Sequence, residues 1–438
     1  MTLQEQAQSI LTQNWREGFT VPSSHLYPFQ WLWDSGFHAM GWANFNQEKA
    51  RTEIQTLLSA QWDNGLIPHI IFHADSAEKK YFPGASFHQA YVHPAAPKHV
   101  HTTGMTQPPV LGFVLEYVHE KESAKEENIA FYQQAAKAIF AFHHYLYTQR
   151  DPNQEGLVYI RHNWESGTDN SAVWDSVWET FDPPMYQVER KDTHHVDQSQ
   201  RPTARDYDYY LYLIDLSRQC GYEEDKMFEK IPFLIQDPLF NAVLAASNQS
   251  LARLFATWGW TEEQAQCEKW YAQTAQQLNQ KLYCPQQNQY HYYDIKNDRP
   301  IKLPTAMGFA PIFAGVPTQD QAEKMAALIE SSTFLGEDLS GYHCPSLAPT
   351  HEKFEANRYW RGPVWLQVNW LLEKGFRQYG FDKLADQIKE DALALVKRDG
   401  FYEYFNPKKD VAAGKGGYGG SQFSWTASVV IDFLNDTK

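Results

Sequence analysis

The chain has 438 residues, of which 43% are hydrophobic and 21% charged, the balance of a globular protein with material for a large core. Its net charge of −15 disfavours nucleic acid as a partner. No apolar run approaches the roughly 20 residues that cross a bilayer, so we expect no membrane partner either.

Helical periodicity dominates the chain. In "EKARTEIQTLLSAQW", for example, Ile54, Leu57 and Trp62 share one stripe and the charges lie opposite. The long helices predicted by this period are 3–14, 47–62, 124–148, 205–220, 238–256, 261–282, 317–331, 361–378 and 381–397. Shorter, more apolar helical segments are predicted at 36–44, 109–118, 170–178, 306–313 and 423–434. Strand signals are few, and "QYHYYDI" is the clearest.

No linker, low-complexity segment or block of charge divides the chain, so we expect one domain over residues 1–438. Many helices with alternating short and long connections favour an all-α fold, an (α/α)6 toroid whose inner helices point at a central pocket. A solenoid of helix pairs is the alternative, but no repeat of roughly 34 to 45 residues is visible. Long connections are usually functional. We expect the pocket walls to be the loops 64–103, 180–201, 284–304, 333–357 and 398–422.

Aromatic residues are abundant, with 15 Trp, 25 Tyr and 26 Phe. Many lie among Asp, Gln and Arg, as in "LYPFQWLWDSGFH" and "NRYWRGPVW". Aromatics also fill large helical cores, so packing is one explanation. Flat apolar faces beside hydrogen-bonding groups suit a sugar, and carbohydrate binding is the other.

Three carboxylates crowd the stretch "RHNWESGTDNSAVWD": Glu165, Asp169 and Asp175. Asp169 and its two neighbours precede a predicted helical segment, so any of the three is a candidate N-cap. A cap does not require two flanking tryptophans or the hinge at Gly167. Asp169 therefore has two interpretations, a helix cap and an active-site acid.

A second acidic motif is "DGFYEYFNP", in which Glu403 stands between two tyrosines. An acid enclosed by aromatics is partly desolvated, which raises its pKa and makes it a better base near neutrality. The glycine-rich run 414–420 lacks the phosphate-loop sequence and is interpreted as a flexible flap. Only the fold can bring Glu403 to Asp169. Hydrolysis of a glycosidic bond needs such a pair of carboxyls.

Further polar candidates accompany the aromatic clusters. Asp34, in "WDSG", either binds sugar hydroxyls or caps the helix that follows. Gln107 precedes two prolines at a predicted helix start. In "RPTARDYDYY", Arg205 and Tyr209 are candidates. An arginine fork holds a carboxylate in two hydrogen bonds. An interhelical salt bridge is an equally good explanation for Arg205 and for each arginine of "NRYWRGPVW".

Signals for metals and cofactors are weak. His69 and His73 have i, i+4 spacing but no H-E-x-x-H. "DPNQEG" begins like a calcium loop but has His162 where the bidentate glutamate belongs, and a turn that ends a helix is the better interpretation. Neither a Ser-His-Asp nor a Cys-His signature is present. We expect no metal and no cofactor.

The expected compartment is the cytoplasm. The four cysteines are scattered without a C-x-x-C pair, which fits a reducing compartment better than a disulfide framework. The first residues show no basic segment followed by an apolar one, so no secretory signal is predicted. Assembly into a homo-oligomer is compatible with the sequence.

Four motifs in series, "WESGTDNS", "RYWRGPVW", "FYEYFNP" and "FSWTA", resemble glycoside hydrolase family 63 and its trehalase relatives. The likeness runs from about Tyr27 to Trp425 and is strongest to the short bacterial branch with mannosylglycerate and glucosylglycerate hydrolases. Longer members carry an extra β-sandwich domain, for which this chain has no room.

The resemblance implies an (α/α)6 barrel and an inverting mechanism, with Asp169 as the general acid, Glu403 as the general base and Asp34 in the sugar subsite. By the same likeness the pocket is lined by Tyr27, Trp31, Trp33, Gln107, Arg205, Tyr359, Trp360 and Trp365, the match being loosest around Arg205. From their own motifs we add as substrate-binding candidates Trp164, Glu165, Gly167 and Tyr209. Glu165 is expected to bind a hydroxyl or an arginine, and Asp175 to be a bystander.

The expected function is therefore inverting hydrolysis of a small α-glycoside, glucosylglycerate or mannosylglycerate. One alternative is a trehalase or another α-glucosidase acting on a neutral disaccharide. Two others belong to different classes, a sugar epimerase and a non-catalytic sugar-binding toroid. Glucose and mannose differ only at C2, and the motifs do not distinguish them.

Overall fold

In the computed structural model, which describes residues 1–73, 81–192 and 196–436, α-helix is the main secondary structure. The helices of seven residues or more are α1 (Leu3–Asn14), α2 (Leu32–Ala43), α3 (Gln47–Ser59), α4 (Leu111–Lys121), α5 (Ile129–Gln149), α6 (Ala204–Gln219), α7 (Glu224–Lys230), α8 (Pro238–Trp258), α9 (Thr261–Gln277), α10 (Gln319–Ile329), α11 (Leu366–Gln378), α12 (Asp382–Asp399) and α13 (Ser424–Asn435). One-turn α-helices are Ala85–His88, Asp175–Trp178 and Ser332–Leu335. Turns of 3₁₀-helix are Ala90–Val92, Asn163–Ser166, Ala172–Trp174, Gln198–Gln200 and Ala306–Ile312, and a π-helical turn follows α9 at Leu278–Leu282.

The strands are short and form small antiparallel sheets. They are β1 (Gln30–Trp31), β2 (Ile70–Phe72), β3 (His101–Thr102), β4 (Tyr159–Ile160), β5 (Ile235–Gln236), β6 (Tyr283–Cys284), β7 (Gln289–Tyr290), β8 (Tyr292–Asp294), β9 (Arg299–Ile301), β10 (Tyr402–Phe405) and β11 (Gly417–Ser421). Within the described residues the sheet orders are β1-β2-β3, β4-β5-β8-β9, β6-β7 and β10-β11. Two of these sheets matter for the site, because β1 leads into α2 and β10 carries Glu403.

Local signals account for several helix boundaries. A capping box between Thr2 and Glu5 starts α1. The side chain of Asp237 accepts from the first backbone amides of α8, which begins with Pro238 and is followed by Gly259, in the left-handed region at φ 74°. These boundaries follow from side-chain chemistry that is readable in the sequence.

Buried helices pack against amphipathic ones. Every residue of α2 is buried, and so is α13 from Ser424 to Phe433. Their neighbours α3 and α1 bury one face only. The same pairing of a more buried helix with a less buried one recurs for α8 with α9. In the described part of the chain no helix combines the length and the apolar character that a bilayer crossing requires.

The long helices predicted from periodicity are confirmed, with shifts at their ends. The predicted helix 361–378 begins only at Leu366, because Gly362 and Pro363 interrupt it. The segment predicted at 36–44 begins earlier, at Leu32, which places Trp33 and Asp34 in the first turn of α2. The segment at 306–313 is 3₁₀-helix, and the one at 170–178 divides into a 3₁₀-turn, Ala172–Trp174, and a one-turn α-helix, Asp175–Trp178. "QYHYYDI" forms β7 and β8, as predicted.

Candidate active site

One cavity, with about 750 Å³ of space that includes solvent at its opening, gathers most of the candidate residues. Its walls carry the carboxyl groups of Asp34, Asp169, Asp192 and Glu403. The cations among its lining residues are Lys191 and Arg201. The aromatic lining residues are Tyr27, Trp31, Trp33, Tyr81, Phe82, Trp164, Tyr207, Tyr359, Trp360, Phe423 and Trp425. Acids among aromatic faces in a concave site are what a sugar substrate requires.

Asp169 is held by the turn that follows Asn163–Ser166. Gly167 ends that 3₁₀-helix at φ 72°, in the left-handed region that favours glycine. A Cβ at Gly167 would lie 2.8 Å from the ring of Trp33, so any side chain there would displace the cavity wall. The Asn163 side chain donates to the carbonyl of Asp169 at 2.7 Å. The turn and the tryptophan thus fix the acid with respect to the cavity.

The helix-cap interpretation of Asp169 and its neighbours is wrong. The residue that caps the following 3₁₀-helix is Ser171, whose side chain accepts from the amide of Val173. The Asp169 carboxylate instead accepts from the Tyr359 hydroxyl at 3.4 Å. Burial raises the pKa of Asp169 to about 7, against the lowering effect of Arg201 and with a further contribution from the charge of Glu403. Near neutral pH this carboxyl therefore has a proton to give.

Glu403 lies on β10, and 1% of its surface is exposed. It accepts from the Tyr27 hydroxyl at 2.9 Å and from the backbone amide of Gly420 at 3.0 Å. Gly419 has φ 70°, and a Cβ there would collide with the Glu403 carboxylate. Burial raises the pKa of Glu403, and Arg201, whose Nη1 lies 3.8 Å from Oε2, is the largest influence that lowers it. The hydrogen-bond donors around Glu403 stabilise its ionised form.

The two carboxyl groups are joined by a chain of phenols. Tyr359 Oη lies 3.4 Å from Asp169 Oδ2 and 3.5 Å from Tyr27 Oη, which lies 2.9 Å from Glu403 Oε1. The separation between these carboxylate oxygens therefore cannot exceed the sum of the three distances, about 10 Å. The fold brings together two acids that are far apart in the sequence.

Asp34 occupies the first turn of α2 inside the same cavity. Burial raises its pKa well above the usual range, and the charges of Glu403 and Asp169 add to the effect. The alternative that Asp34 caps α2 is wrong, because the N-cap position is Trp31 and no side chain of that position forms the cap. Gln107 supplies the missing acceptor, since its Oε1 accepts from the amide of Trp33 at 3.2 Å.

The structure brings most of the candidates named from the sequence to this cavity. Those that line it are Tyr27, Trp31, Trp33, Asp34, Gln107, Trp164, Gly167, Asp169, Tyr359, Trp360 and Glu403. Trp365 lies behind the wall, where its ring stacks on Trp360 at 3.7 Å and on Tyr404 at 4.6 Å. Its contact is with the wall rather than with the cavity.

Glu165 does not reach the cavity. Its carboxylate receives two hydrogen bonds from Arg150, each 3.2 Å, and one from the Arg161 amide at 2.7 Å. Burial alone would raise the pKa of Glu165, but Arg150 and Arg161 overcome it and lower the pKa to about 2. The predicted partnership of Glu165 with an arginine is confirmed.

Arg205 and Tyr209 also lie outside the cavity. Arg205 is paired with Asp182 and Asp208, and its guanidinium lies over the Tyr209 ring at 4.9 Å. Arg205 is therefore held by salt bridges, although they join it to its own helix and to a loop residue rather than to another helix. Arg361 is likewise held by a salt bridge, to Asp175, and neither of these two residues lines the cavity.

Arg201, four residues before Arg205, lines the cavity but was not among the residues predicted for the site. Arg201 is buried, its Nε donates to Asp192 Oδ2 at 3.2 Å, and its guanidinium lies 4.3 Å from the centre of the Tyr359 ring. Its Nη1 is sealed from solvent and forms no hydrogen bond with the described residues. One signal was available, because Arg201 precedes Pro202 and so belongs to an extended segment rather than to α6.

Other cavity residues had no signal of their own. Tyr207 and Tyr81 were not proposed, and Phe423 and Trp425 belonged to the "FSWTA" motif without a role. His69, considered only as a metal ligand, lines the cavity. Within residues 1–73, 81–192 and 196–436, no group of three His, Cys, Asp or Glu side chains is arranged to hold a metal ion. "DPNQEG" is a turn after α5, in which Asp151 accepts from the amides of residues 155 and 156, as predicted.

Three of the five long loops contribute to the cavity. Its lining residues come from 64–103, 180–201 and 398–422, although 74–80 and 193–195 lie outside the described residues. The described lining includes no residue of 284–304 or 333–357, so the expectation for those two loops is wrong. The glycine-rich run 414–420 forms most of β11, which pairs with β10 behind Glu403.

Known proteins resemble this chain over nearly its whole length. The model of the mannosylglycerate hydrolase MGH1-like glycoside hydrolase domain matches residues 27–426. The mannosylglycerate hydrolase of Rubrobacter radiotolerans is 38% identical over 98% of this chain and 96% of that protein. That of Thermus thermophilus is 39% identical, over 97% and 99%. The glucosylglycerate hydrolase of Mycolicibacterium hassiacum is 31% identical, over 95% and 94%.

A solved structure also resembles this chain over nearly its whole length. The crystal structure of the family 63 mannosylglycerate hydrolase from Thermus thermophilus in complex with Tris and D-glycerate is similar with a TM-score of 0.89 and 39% identity. The match covers 99% of this chain and 100% of that one. The complex of the same enzyme with Tris gives a TM-score of 0.91.

A helical fold with a pair of buried carboxyls in one aromatic cavity is typical of a glycosidase, an enzyme that hydrolyses O-glycosyl bonds. The extent of the matches identifies it further. The chain belongs to the mannosylglycerate hydrolase MGH1-like glycoside hydrolase family. The family is one of hydrolases and therefore does not support a sugar epimerase or a non-catalytic toroid.

Proposed function

We propose that this enzyme hydrolyses mannosylglycerate with inversion at the anomeric carbon. The observation that carries the proposal is the pair of buried carboxyls, Asp169 and Glu403, joined through two tyrosine hydroxyls across one cavity. Relatives at 38% and 39% identity bear the name of mannosylglycerate hydrolases, and the Thermus thermophilus enzyme was crystallised with D-glycerate.

In this mechanism Asp169 gives its proton to the glycosidic oxygen while the bond to the anomeric carbon breaks. Glu403 takes a proton from a water molecule that attacks the same carbon from the opposite face. An inverting pair stands roughly 6.5–9.5 Å apart, so that the water fits between base and sugar, whereas a retaining pair is only about 5 Å apart. The upper limit of about 10 Å set by the tyrosine chain accommodates the inverting spacing.

Arg201 is proposed to interact both with the general base, Glu403, and with the aglycone of the substrate. Its guanidinium lies near Glu403 and lowers the pKa of that carboxyl, which favours the ionised base. Arg201 lines a cavity that otherwise carries several acids. A guanidinium group is suited to the carboxylate of glycerate. Glucosylglycerate is the second candidate substrate, supported by the relative of that name at 31% identity.

We also propose that residues 1–438 form one catalytic domain, an (α/α)6 toroid. The alternation of buried and amphipathic helices supports it, as does a family match that runs from residue 27 to residue 426. A cytoplasmic location is proposed on the ground that all four cysteines are buried and unpaired. Oligomerisation stays a prediction.

The test is a panel of α-glycosides: mannosylglycerate, glucosylglycerate, glucosylglycerol and trehalose. The proposal expects the two glycerates to be hydrolysed with kcat/KM at least about tenfold above that of the neutral compounds, because only they carry a carboxylate for Arg201. Asp169→Asn and Glu403→Gln should each lose several orders of magnitude in kcat. Asp175→Asn is the matched control, a carboxyl paired with Arg361 outside the cavity.

Equal or faster hydrolysis of trehalose would favour an α-glucosidase acting on neutral disaccharides and would overturn the proposed substrate. Near-normal turnover by Asp169→Asn or Glu403→Gln would overturn the assigned roles, whatever the substrate.

A further inference from the structure

His69 lines the active-site cavity, and the mechanism above gives it no task. It immediately precedes β2, and 4% of its surface is exposed. Its backbone is held on both sides, because its amide donates to the Met105 carbonyl at 2.7 Å and its carbonyl accepts from the Leu32 amide at 3.1 Å. Its ring lies 6.0 Å from the Trp164 ring. A side chain anchored in this way presents one polar atom at a fixed place.

That polar atom is Nε2. Nδ1 of His69 is sealed from solvent and has no hydrogen-bond partner. Nε2 forms no hydrogen bond with the described residues either, but it is not among the sealed atoms and therefore faces the cavity. Orphaned buried N–H groups are rarer than orphaned acceptors, which assigns the single proton of the neutral ring to Nε2. His69 thus offers a hydrogen-bond donor to whatever fills the cavity.

The donor is uncharged at working pH. Burial, followed by the nearby His88 and His162, holds the pKa of His69 well below its usual value of 6.5. A carboxylate is bound best by a charged guanidinium group such as that of Arg201. A neutral donor among several acids is matched instead to a sugar hydroxyl, which also has a proton to share.

We propose that His69 donates a hydrogen bond to one hydroxyl of the sugar ring and selects the substrate by that contact. The inference rests on the proposed function, because it needs a sugar in this cavity. A site built to bind a hydroxyl rejects the analogue that lacks it, since the buried donor is then left unpaired. His69 would therefore contribute to the choice among sugars that differ at one carbon.

The test is a substrate–enzyme cycle. The substrates are mannosylglycerate and its 2-, 3-, 4- and 6-deoxy forms, and the enzymes are the wild type, His69→Phe and His69→Gln. Phenylalanine keeps a ring against Trp164 and removes the donor, whereas glutamine keeps a donor at similar reach. For the wild type we expect one deoxy form to lose about 10- to 100-fold in kcat/KM beyond its chemical reactivity. With mannosylglycerate, kcat/KM of His69→Phe should be lower than that of the wild type by a similar factor. With that deoxy form, the replacement should cause no further loss of kcat/KM.

The second expected result is that His69→Gln partly restores the discrimination between mannosylglycerate and that deoxy form. If His69→Phe does not fold, the result with His69→Gln decides the question. His73→Phe is the matched control. The His73 ring stacks on Phe19 at 4.2 Å and hydrogen-bonds Gln30 at 2.8 Å, away from the cavity, so this variant should discriminate among the deoxy forms as the wild type does.

The proposal is wrong if His69→Phe discriminates among the four deoxy forms as the wild type does, whatever its absolute rate. A wild type that hydrolyses no mannosylglycerate contradicts the proposed function instead. The same cycle is then run on dissociation constants of mannose and its deoxy forms, measured by NMR titration, and equal discrimination again overturns the role of His69.

Discussion

Replacing the proposed acid with its uncharged isostere, Asp169→Asn, is expected to abolish activity and to stabilise the protein at the same time. The raised pKa of Asp169 is the reason. Burial in an aromatic cavity beside Glu403 opposes its ionisation, and a protein that keeps an acid in such a place gives up stability whenever that acid is charged.

The magnitude follows from the shift. The pKa of Asp169 rises from its ordinary 3.8 to about 7. At 1.36 kcal/mol per pH unit, this corresponds to about 4 kcal/mol at pH 8. Because the folded-state pKa is the higher one, the cost is absent below pH 3.8, grows as the pH rises towards 7 and is constant above that. Asparagine must also replace the hydrogen bonds of the carboxyl, which costs about 1–3 kcal/mol at either pH, so we expect a net gain of about 1–3 kcal/mol at pH 8. At pH 4.5 the ionisation cost is only about 1 kcal/mol, so we expect no gain or a loss of up to about 2 kcal/mol.

The assay is thermal unfolding of wild type and Asp169→Asn at pH 8 and pH 4.5, with kcat measured on mannosylglycerate. Asp175→Asn serves as the control, because it removes a carboxylate bonded to Arg361 and Lys353 and should bring no gain. A melting temperature of Asp169→Asn that is lowered or unchanged at pH 8 would refute the reasoning. An equal rise at both pH values would also refute it, since the effect would then not depend on ionisation.

Three further results are expected. For the wild type, kcat/KM should fall above about pH 7 as Asp169 loses its proton, and a rate that stays level up to pH 9 would contradict the role of acid. Glu165→Gln should cost about 3 kcal/mol at pH 7, because the pKa of Glu165 is lowered from 4.5 to about 2 by Arg150 and Arg161. Stability carried by a lowered pKa is present above pH 4.5 and lost as the pH falls through about 2, so urea titrations should show the difference from the wild type shrinking over that window. Gly419→Ala should lower kcat at least about 100-fold, because its Cβ collides with the Glu403 carboxylate, and near-normal turnover would show that β11 gives way.

The helical part of the fold could be predicted because each long helix carries its own periodicity. Predictions failed where tertiary contacts decide the outcome. The stretch around Trp33 lacks an N-cap side chain of its own, and α2 begins there because Gln107, from a distant segment, accepts from its amide. A hydrogen bond between segments so far apart in the chain leaves no local pattern in the sequence.

The same distinction applies to the site. Asp169 and Glu403 each stood in a local setting of glycine and aromatic residues that marked them, and the structure brings both to one cavity. Arg205 carried the same fork as Arg201 but lies on the outer side of α6, paired with two aspartates. Which of two nearby arginines faces inward depends on where α6 begins, and the pattern of "RPTARDYDYY" did not fix that boundary.

The most direct test of the proposed mechanism is the configuration of the first sugar released. Proton NMR spectra taken during the first minutes of hydrolysis of α-mannosylglycerate, before mutarotation, distinguish the two anomers of mannose. Attack by water activated at Glu403, on the face opposite to the proton donor Asp169, predicts β-mannose first and α-mannose only as the sugar equilibrates. Release of α-mannose first would mean retention of configuration and would contradict the assignment of Asp169 and Glu403 as an inverting pair.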